Sequence, residues 1–167
     1  MEELVAERSF DPIGILSALD RQRVSYVLIG GLARVIQGAE EVTGGVDIVP
    51  SMRAENLRRL EQALGDLGAT AVDGKQPVLG EETRSPLELK TDRGELKVVP
   101  VPVGTRGYDD LRRAAAREPL GSGLRPSVAS VGDLGRMLAA LGRESDLDRL
   151  QSLRRLAELE LGRGLGL

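Results

Sequence analysis

The sequence predicts an α+β (mixed α/β) domain with a small mixed sheet, flanking helices and a C-terminal helical part. Short apolar runs of strand length alternate with longer segments in which leucines recur at helical spacing. The chain has 167 residues, 41% hydrophobic and 29% charged, which suits one globular domain. We expect residues 1–127 to form an α/β core and residues 128–167 a helical region packed on it as one structural unit.

The first half of the chain predicts two strands on either side of a glycine turn. Asp11 precedes Pro12 as an N-cap precedes the first helical residue, and Ser51 is predicted to cap the helix that follows the second strand. The elements predicted here are a short helix or arm at 2–9, a helix to about 20, a strand at 24–29, a helix at 32–37, a strand at 46–49 and a helix at 53–67.

The second half predicts a hairpin followed by helices. Gly94 suits the left-handed position of a hairpin turn, and Pro100 and Pro102 suggest that the hairpin lies at a sheet edge. The predicted elements are a loop at 73–86 with a short strand near 77–79, strands at 86–90 and 95–101, a helix at 108–117, a strand at 128–131, helices at 132–141 and 146–161, and a frayed tail from 162.

Missing residue types narrow the chemistry. The chain has no Cys and no His, so a thiolate nucleophile, an imidazole base and a zinc knuckle are excluded, and any metal must be held by oxygen ligands, which favours magnesium or manganese. A net charge of -3 and only three aromatic residues argue against a general nucleic-acid binder. No run of eighteen apolar residues occurs, so we expect a cytoplasmic protein without membrane contact.

The stretch Tyr26–Pro50 is the part of the chain that resembles a binding site. An apolar run ends at Gly30 and Gly31, a short helix follows, and the next apolar run carries a single carboxylate, Asp47. A glycine turn lets backbone N–H groups approach a phosphate, and a strand acid can hold a metal ion. The pattern therefore suggests a phosphate or metal-phosphate site.

Six stretches of the chain together carry a resemblance to a known family. They are VLIGGLA at 27–33, TGGVDIV at 43–49, ELKVVP at 95–100, GTRGYDDL at 104–111, DLGRML at 133–138 and GRESDL at 142–147. They resemble the nucleotidyltransferase superfamily that includes DNA polymerase β, and more closely its AbiEii-type members, some of which are toxins of toxin–antitoxin pairs. The likeness covers about residues 24–156.

The resemblance implies a nucleotidyltransferase-like sheet and a defined chemistry. In that family two strand carboxylates and a third from a neighbouring strand hold magnesium, which binds a nucleoside triphosphate and steadies the leaving pyrophosphate. Carried onto this chain, the resemblance makes Asp47 the remaining family acid and Asp146 a second candidate catalytic residue. It makes four residues candidates for nucleotide or phosphate binding: Gly30, Gly31, Thr43 and Lys97.

The chain departs from the family pattern where the metal would bind. Gly45 stands where the family has its first Asp, Lys97 stands where it has the third, and Leu138 stands where it has a Lys. One carboxylate is too little anionic charge for magnesium, and a nearby ammonium adds repulsion. The leading interpretation is thus a catalytically degenerate protein, in which Lys97 pairs with Asp47 or contacts a phosphate and the protein binds a nucleotide, a phosphate or a partner.

Two other interpretations stay open. The protein could be an active magnesium-dependent enzyme that transfers a nucleotide to an RNA or protein acceptor, with Glu88, Glu95 or the pair Glu40–Glu41 replacing the missing acids. It could instead be an interaction module, such as a homodimer or the partner of a cognate antitoxin. The leucine-rich C-terminal helices would then form a core or a dimer seam.

Overall fold

The computed structural model describes residues 10–74 and 77–164; the arm predicted at 2–9 and the last residues of the tail lie outside them. The helices of the described part are α1 (Pro12–Arg21), α2 (Gly30–Ile36), α3 (Ala54–Asp66), α4 (Tyr108–Leu111), α5 (Val131–Leu141) and α6 (Leu147–Gly164), with a 3₁₀ helix at Glu144–Asp146. The strands are β1 (Tyr26–Ile29), β2 (Gly45–Pro50), β3 (Thr70–Ala71), β4 (Leu87–Thr91), β5 (Gly94–Val98), β6 (Ala116–Arg117) and β7 (Ser127–Val128).

The strands form one mixed sheet in the order β3-β4-β5-β2-β1-β7-β6. β2 lies at its centre, antiparallel to β1 and parallel to β5, and β1 runs parallel to β7 on its other side. The predicted α+β fold class is therefore confirmed. No helix within 10–74 and 77–164 is both long and apolar enough to cross a membrane.

An aliphatic core holds the sheet and helices together. α1 buries Ile15, Leu16 and Leu19, and it packs on α3, whose leucines at helical spacing include the buried Leu57 and Leu60. Burying a side chain of this size contributes about 1.5–3 kcal/mol. α2 contacts β1, β2 and α5, and α5 packs on α6, so the C-terminal helices lie beside the glycine turn.

A buried asparagine joins α3 to the strands beside it. Asn56 Oδ1 accepts from the Ser25 backbone N–H at 2.7 Å, and its Nδ2 donates to the carbonyls of Ser25 at 2.9 Å and Ser51 at 2.8 Å. These bonds satisfy every polar atom of a side chain that is only 6% exposed. The loop after β2 is thereby fixed relative to the start of β1.

Two of the predicted helix ends agree with the structure, and a third does not. Asp11 Oδ1 accepts from the Gly14 N–H at 2.9 Å, and Gly142 ends α5 with a φ of +63°. The predicted Ser51 cap of α3 is wrong. The N-cap residue is Arg53, and the carboxylate of Glu81 accepts from the Ala54 N–H at 2.9 Å. A residue distant in sequence has replaced the local cap.

Three other predictions of local structure are wrong. The helix predicted at 108–117 ends at Leu111, because Ala116 and Arg117 pair with β7 instead. The hairpin does not lie at an edge, because β5 pairs with β2 as well as β4 and its prolines follow the strand's end. Residues 77–79 form no strand, and β4 pairs with β3 on that side.

Candidate functional site

A cleft of about 320 Å³ opens beside the glycine turn, between the central strands and α5. The turn, β2 and β5 provide a polar floor, while α5 and the segment after β5 provide an apolar wall. Its principal lining residues are Gly30, Gly31, Arg34, Asp47, Lys97, Val99, Val103, Leu134, Met137, Leu138, Leu141 and Arg143. The structure thus brings the predicted glycines, Asp47 and Lys97 together in one concave site.

The glycine turn and the strand acid are in direct contact. Gly30 has a φ of +75°, and a Cβ added there would overlap Asp47 Oδ2. Only glycine combines that backbone conformation with so close an approach at low cost. The turn therefore shapes the floor of the cleft around the Asp47 carboxylate.

Asp47, Lys97 and Glu88 form one row across three strands. Asp47 is the register partner of Lys97 in the β2–β5 pair, and Lys97 is the partner of Glu88 in the β5–β4 pair. Lys97 Nζ lies 4.0 Å from Glu88 Oε1. Burial raises the pKa of Asp47, and the positive charges of Lys97 and Arg34 only partly oppose this effect.

The adjacent row contains Gly45, Glu95 and Lys90. Gly45 is the register partner of Glu95, which in turn is the partner of Lys90. A Cβ added at Gly45 would lie 3.3 Å from the Glu95 Cβ. Glu88 and Glu95 therefore lie on the same face of the sheet as Asp47, and each neighbours a lysine.

The magnesium implied by the resemblance does not fit this residue set. No group of three acidic side chains placed to hold a metal ion occurs within residues 10–74 and 77–164. Asp47, the carboxylate at the cleft floor, has Lys97 as its register partner where the resemblance implies a further acid, and the two side chains form no ion pair within 4.0 Å. Magnesium retains several waters and needs concentrated anionic charge, which an ammonium opposes.

Thr43 lies behind the turn. Its Oγ1 donates to the carbonyl of Gly45 at 3.1 Å and is also the nearest atom to a Cβ added at Gly31, again at 3.1 Å. Thr43 therefore joins the start of β2 to the first turn of α2. Of the acidic pair just before Thr43, Glu40 is exposed, whereas Glu41 is largely buried.

An ion pair that the sequence analysis did not identify lies next to the turn. Arg34 Nε and Nη2 donate to the two carboxylate oxygens of Glu41 at 2.7 and 3.0 Å. Burial acts to raise the pKa of Glu41, but the hydrogen bond and charge of Arg34, with the charge of Arg149, bring that pKa below its ordinary value. Both side chains of the pair are 12% exposed. Arg34 is thus held at the cleft in a bidentate geometry.

Asp146 lies outside the cleft floor and anchors the arginines around it. Its carboxylate is fully buried and accepts from Arg143 Nε at 2.6 Å and from Arg149 Nη1 at 2.9 Å. Arg149 also donates to Glu41 at 3.2 Å, so the network continues to Arg34. The hydrogen bond from Arg143 is the main reason that the pKa of Asp146 is lowered. Of these residues, Arg34 and Arg143 line the cleft.

The cleft wall opposite the charged floor is apolar. Leu138, which stands where the family has a Lys, is 3% exposed on α5 beside Leu134 and Met137. Leu141 and Val103 are about half exposed at the mouth, 45% and 56% respectively. A ligand here would meet hydrocarbon on one side and charged groups on the other, as is usual for small-molecule sites.

This architecture is the nucleotidyltransferase fold. The lincomycin-bound crystal structure of the lincosamide antibiotic adenylyltransferase LnuA is similar to this chain with a TM-score of 0.60 and 18% identity, over 88% of this chain and 98% of that one. The solution structure of the antibiotic-resistance factor ANT(2'')-Ia gives 0.59 and 16%, over 98% and 88%. A Thermotoga maritima protein described as a candidate nucleotidyltransferase gives 0.56 and 19%, over 86% and 88%.

These comparisons establish the fold alone. No family model matches the chain, and no curated protein sequence gives a significant match. The predicted nucleotidyltransferase-like fold is confirmed by the three structures. The AbiEii-type likeness stays a prediction from the sequence.

Proposed function

We propose that this cytoplasmic protein binds a phosphate-bearing ligand, such as a nucleotide, in the cleft without a metal ion and does not transfer nucleotides. The observation that carries the proposal is the placement of Lys97 directly opposite Asp47 in the β2–β5 pair. A lysine here supplies the positive charge that a bound metal would otherwise supply, and it opposes entry of a divalent ion. Lys97 is 42% exposed, so its ammonium remains accessible from the cleft.

Binding is supported by the preserved shape of the site. The positive φ of Gly30 keeps the turn open, and Arg34 is held rigidly by Glu41. A phosphate between the turn and Lys97 would receive charge-assisted hydrogen bonds, while the rest of the ligand packs on the wall around Leu138. Leu138 offers the ligand an apolar contact at the position where the resemblance implies a lysine.

A magnesium-dependent transferase is the second candidate, because Glu88 and Glu95 lie on the same sheet face as Asp47. Repositioned side chains could bring a second and third carboxylate towards the ion, with an RNA or protein as acceptor. Glu88 would first have to leave Lys97, which lies 4.0 Å away. The antitoxin partner and the homodimer remain proposals that rest on the sequence.

Calorimetry with each of the four ribonucleoside triphosphates, in excess EDTA and again in magnesium, tests the proposal. We expect binding of the same strength in both conditions, because Lys97 rather than a metal meets the phosphates. The Lys97→Met variant should bind at least about tenfold more weakly, as expected for loss of a charge-assisted contact. Lys90→Met is the matched control, since Lys90 lies on the neighbouring strand in the adjacent row.

Any one of four results would contradict the proposal. Binding that appears only with magnesium would favour the transferase, as would transfer of a labelled nucleotide to RNA or protein. An unchanged affinity in Lys97→Met would show that Lys97 does not contact the ligand. Absence of nucleotide binding, combined with a stable dimer in solution scattering, would favour an interaction module.

A further inference from the structure

A second pocket, of about 290 Å³, lies beside the cleft at the start of α3. Three arginines line it, Arg53, Arg84 and Arg106, and they come from three separate segments of the chain. Val101 lines both this pocket and the cleft, so the two sites are neighbours. We call it the arginine pocket.

Within the described residues, none of the three arginine side chains of this pocket forms an ion pair, although nearby Asp110 accepts a hydrogen bond from the backbone N–H of Arg106 at 2.9 Å. Among residues 10–74 and 77–164, no carboxylate lies within 4.0 Å of the guanidinium of Arg53, Arg84 or Arg106. Two other arginines of this region are paired: Arg59 lies 2.8 Å from Glu55, and Arg112 lies 3.1 Å from Asp109. Among the described residues, the positive charge of these three side chains is therefore not neutralised by a direct ion pair.

The carboxylate of Glu81 lines one side of the arginine pocket. Glu81 Oε1 accepts from the Ala54 N–H at 2.9 Å, at the first residue of α3. The pocket also contains Asp109, whose carboxylate is engaged by Arg112. The lining of the pocket thus contains three guanidinium groups and two carboxylates, and each carboxylate accepts a hydrogen bond from another donor.

We infer that the arginine pocket is a second anion site, which takes a small phosphate-bearing ligand independently of the cleft. Guanidinium groups bind phosphate through paired N–H donors, and arginines from three segments can surround one such group. The net charge of -3 disfavours a long polyanion, which needs an extended basic field. A compact ligand with concentrated charge fits this local arrangement better.

Pyrophosphate is a suitable probe, titrated by calorimetry at low salt into the chain of 167 residues. We expect Arg84→Gln and Arg106→Gln each to weaken binding by about 3- to 10-fold, because each removes a charge-assisted contact at a solvent-exposed site. Arg58→Gln is the matched control: it removes the same charge from an exposed position of α3 outside the pocket. Thermal unfolding confirms that each variant is folded.

Glu81→Gln should strengthen the binding of pyrophosphate, whereas the arginine substitutions should weaken it. The amide oxygen can still accept from Ala54, but the negative charge beside the ligand is gone. We expect pyrophosphate to bind about threefold more tightly, the factor for one unit charge at about 6 Å in water. Arginines that are simply solvated would show no such gain.

Lys97→Met separates this site from the cleft. If the probe occupies the arginine pocket, its affinity should be unchanged in that variant, whether or not nucleotides bind the cleft. The inference is overturned if the wild type does not bind pyrophosphate, if Arg58→Gln weakens binding as much as Arg84→Gln, or if only Lys97→Met weakens it. Binding of a single-stranded oligonucleotide without pyrophosphate binding would also overturn it, in favour of a nucleic-acid surface.

Discussion

Asp47 and Lys97 are direct partners in the parallel pairing of β2 with β5, and both line the cleft. Burial raises the pKa of Asp47, while the ammonium of Lys97 acts in the opposite direction. The lysine therefore helps to keep a shielded carboxylate ionised at the cleft floor. Substituting Lys97 should therefore change both the stability of the domain and the charge state of Asp47 in the cleft.

Replacing Lys97 with Met should make stability more dependent on pH. An acid whose pKa is raised on folding favours the folded state at low pH, and this contribution is lost as the pH rises through the folded pKa. Without Lys97 the pKa of Asp47 should rise further. We expect the free energy of unfolding to fall by about 0.5–1 kcal/mol near neutral pH, since Lys97 is partly exposed, and by less near pH 4.

Urea unfolding at several pH values measures this difference. Lys90→Met is the control, because its register partner is Glu95 rather than Asp47. A loss of stability in Lys97→Met that is equal at all pH values would mean that packing, not the charge of Asp47, is responsible.

A metal site should be recoverable by restoring the two family acids. The double variant Gly45→Asp with Lys97→Asp would place three carboxylates on one sheet face, those of residues 45 and 97 together with that of Asp47. The Gly45 position is tight, since an added Cβ lies 3.3 Å from the Glu95 Cβ and carbonyl oxygen, so β5 must shift by a few tenths of an ångström. We expect manganese affinity to rise by at least about tenfold over wild type.

Manganese binding is measured by electron paramagnetic resonance, with Lys97→Asp alone as the control. The single variant should gain less, because it provides two carboxylates rather than three. No gain in the folded double variant would mean that these positions do not form the family's metal site.

Much of the cleft floor could be predicted from local sequence, because it depends on neighbours in the chain. A glycine pair directly after an apolar strand predicts a tight turn there, and the positive φ of Gly30 agrees with that prediction. The resemblance also predicted that Lys97 lies near Asp47, because residue 97 stands at the position of the family's third Asp, and the β2–β5 register agrees with this placement.

The rest depended on contacts between distant residues. Arg149 reaches Glu41 across 108 positions, and Glu81 caps α3 across 27. No local pattern marks such pairs. The helix expected to continue to residue 117 failed for a related reason, because Ala116 gains a strand partner in Val128 and tertiary pairing overrides helix propensity.

Gly30→Ala should destabilise the protein through two separable effects. The positive φ costs about 1–3 kcal/mol for a residue with a Cβ, and the added methyl overlaps the Asp47 carboxylate. Gly44→Ala is the control, since nothing lies within 4 Å of an added Cβ there and the φ is not in the left-handed region. We expect its effect to stay within about 0.5 kcal/mol.

A double-mutant cycle with Asp47→Ala separates the two effects. Truncating Asp47 removes the overlapping Oδ2 and Cγ but leaves its Cβ 3.1 Å from the added methyl and leaves the φ strain, so Gly30→Ala should cost less in that background, by at least about 0.5 kcal/mol. Strictly additive changes in the free energy of unfolding would mean that the turn moves away from Asp47 at no cost.

Asp146→Asn should remove stability that is present at neutral pH and absent in acid. The pKa of Asp146 is lowered by the hydrogen bonds from Arg143 and Arg149, and an acid with a lowered folded pKa stabilises the fold above its ordinary pKa. This stability is lost as the pH falls through the folded value. The arginines are 53% and 42% exposed, so we expect a loss of about 1–3 kcal/mol, smaller than for a fully buried pair. Asp148→Asn, at an exposed position in the first turn of α6, should change little.

Because Arg149 also holds Glu41, the Asp146 variant should in addition loosen Arg34, and hydrogen exchange at residues 30–36 should rise with it. Equal stability of the two variants at neutral pH would show that the buried carboxylate does not hold the arginines at the cleft.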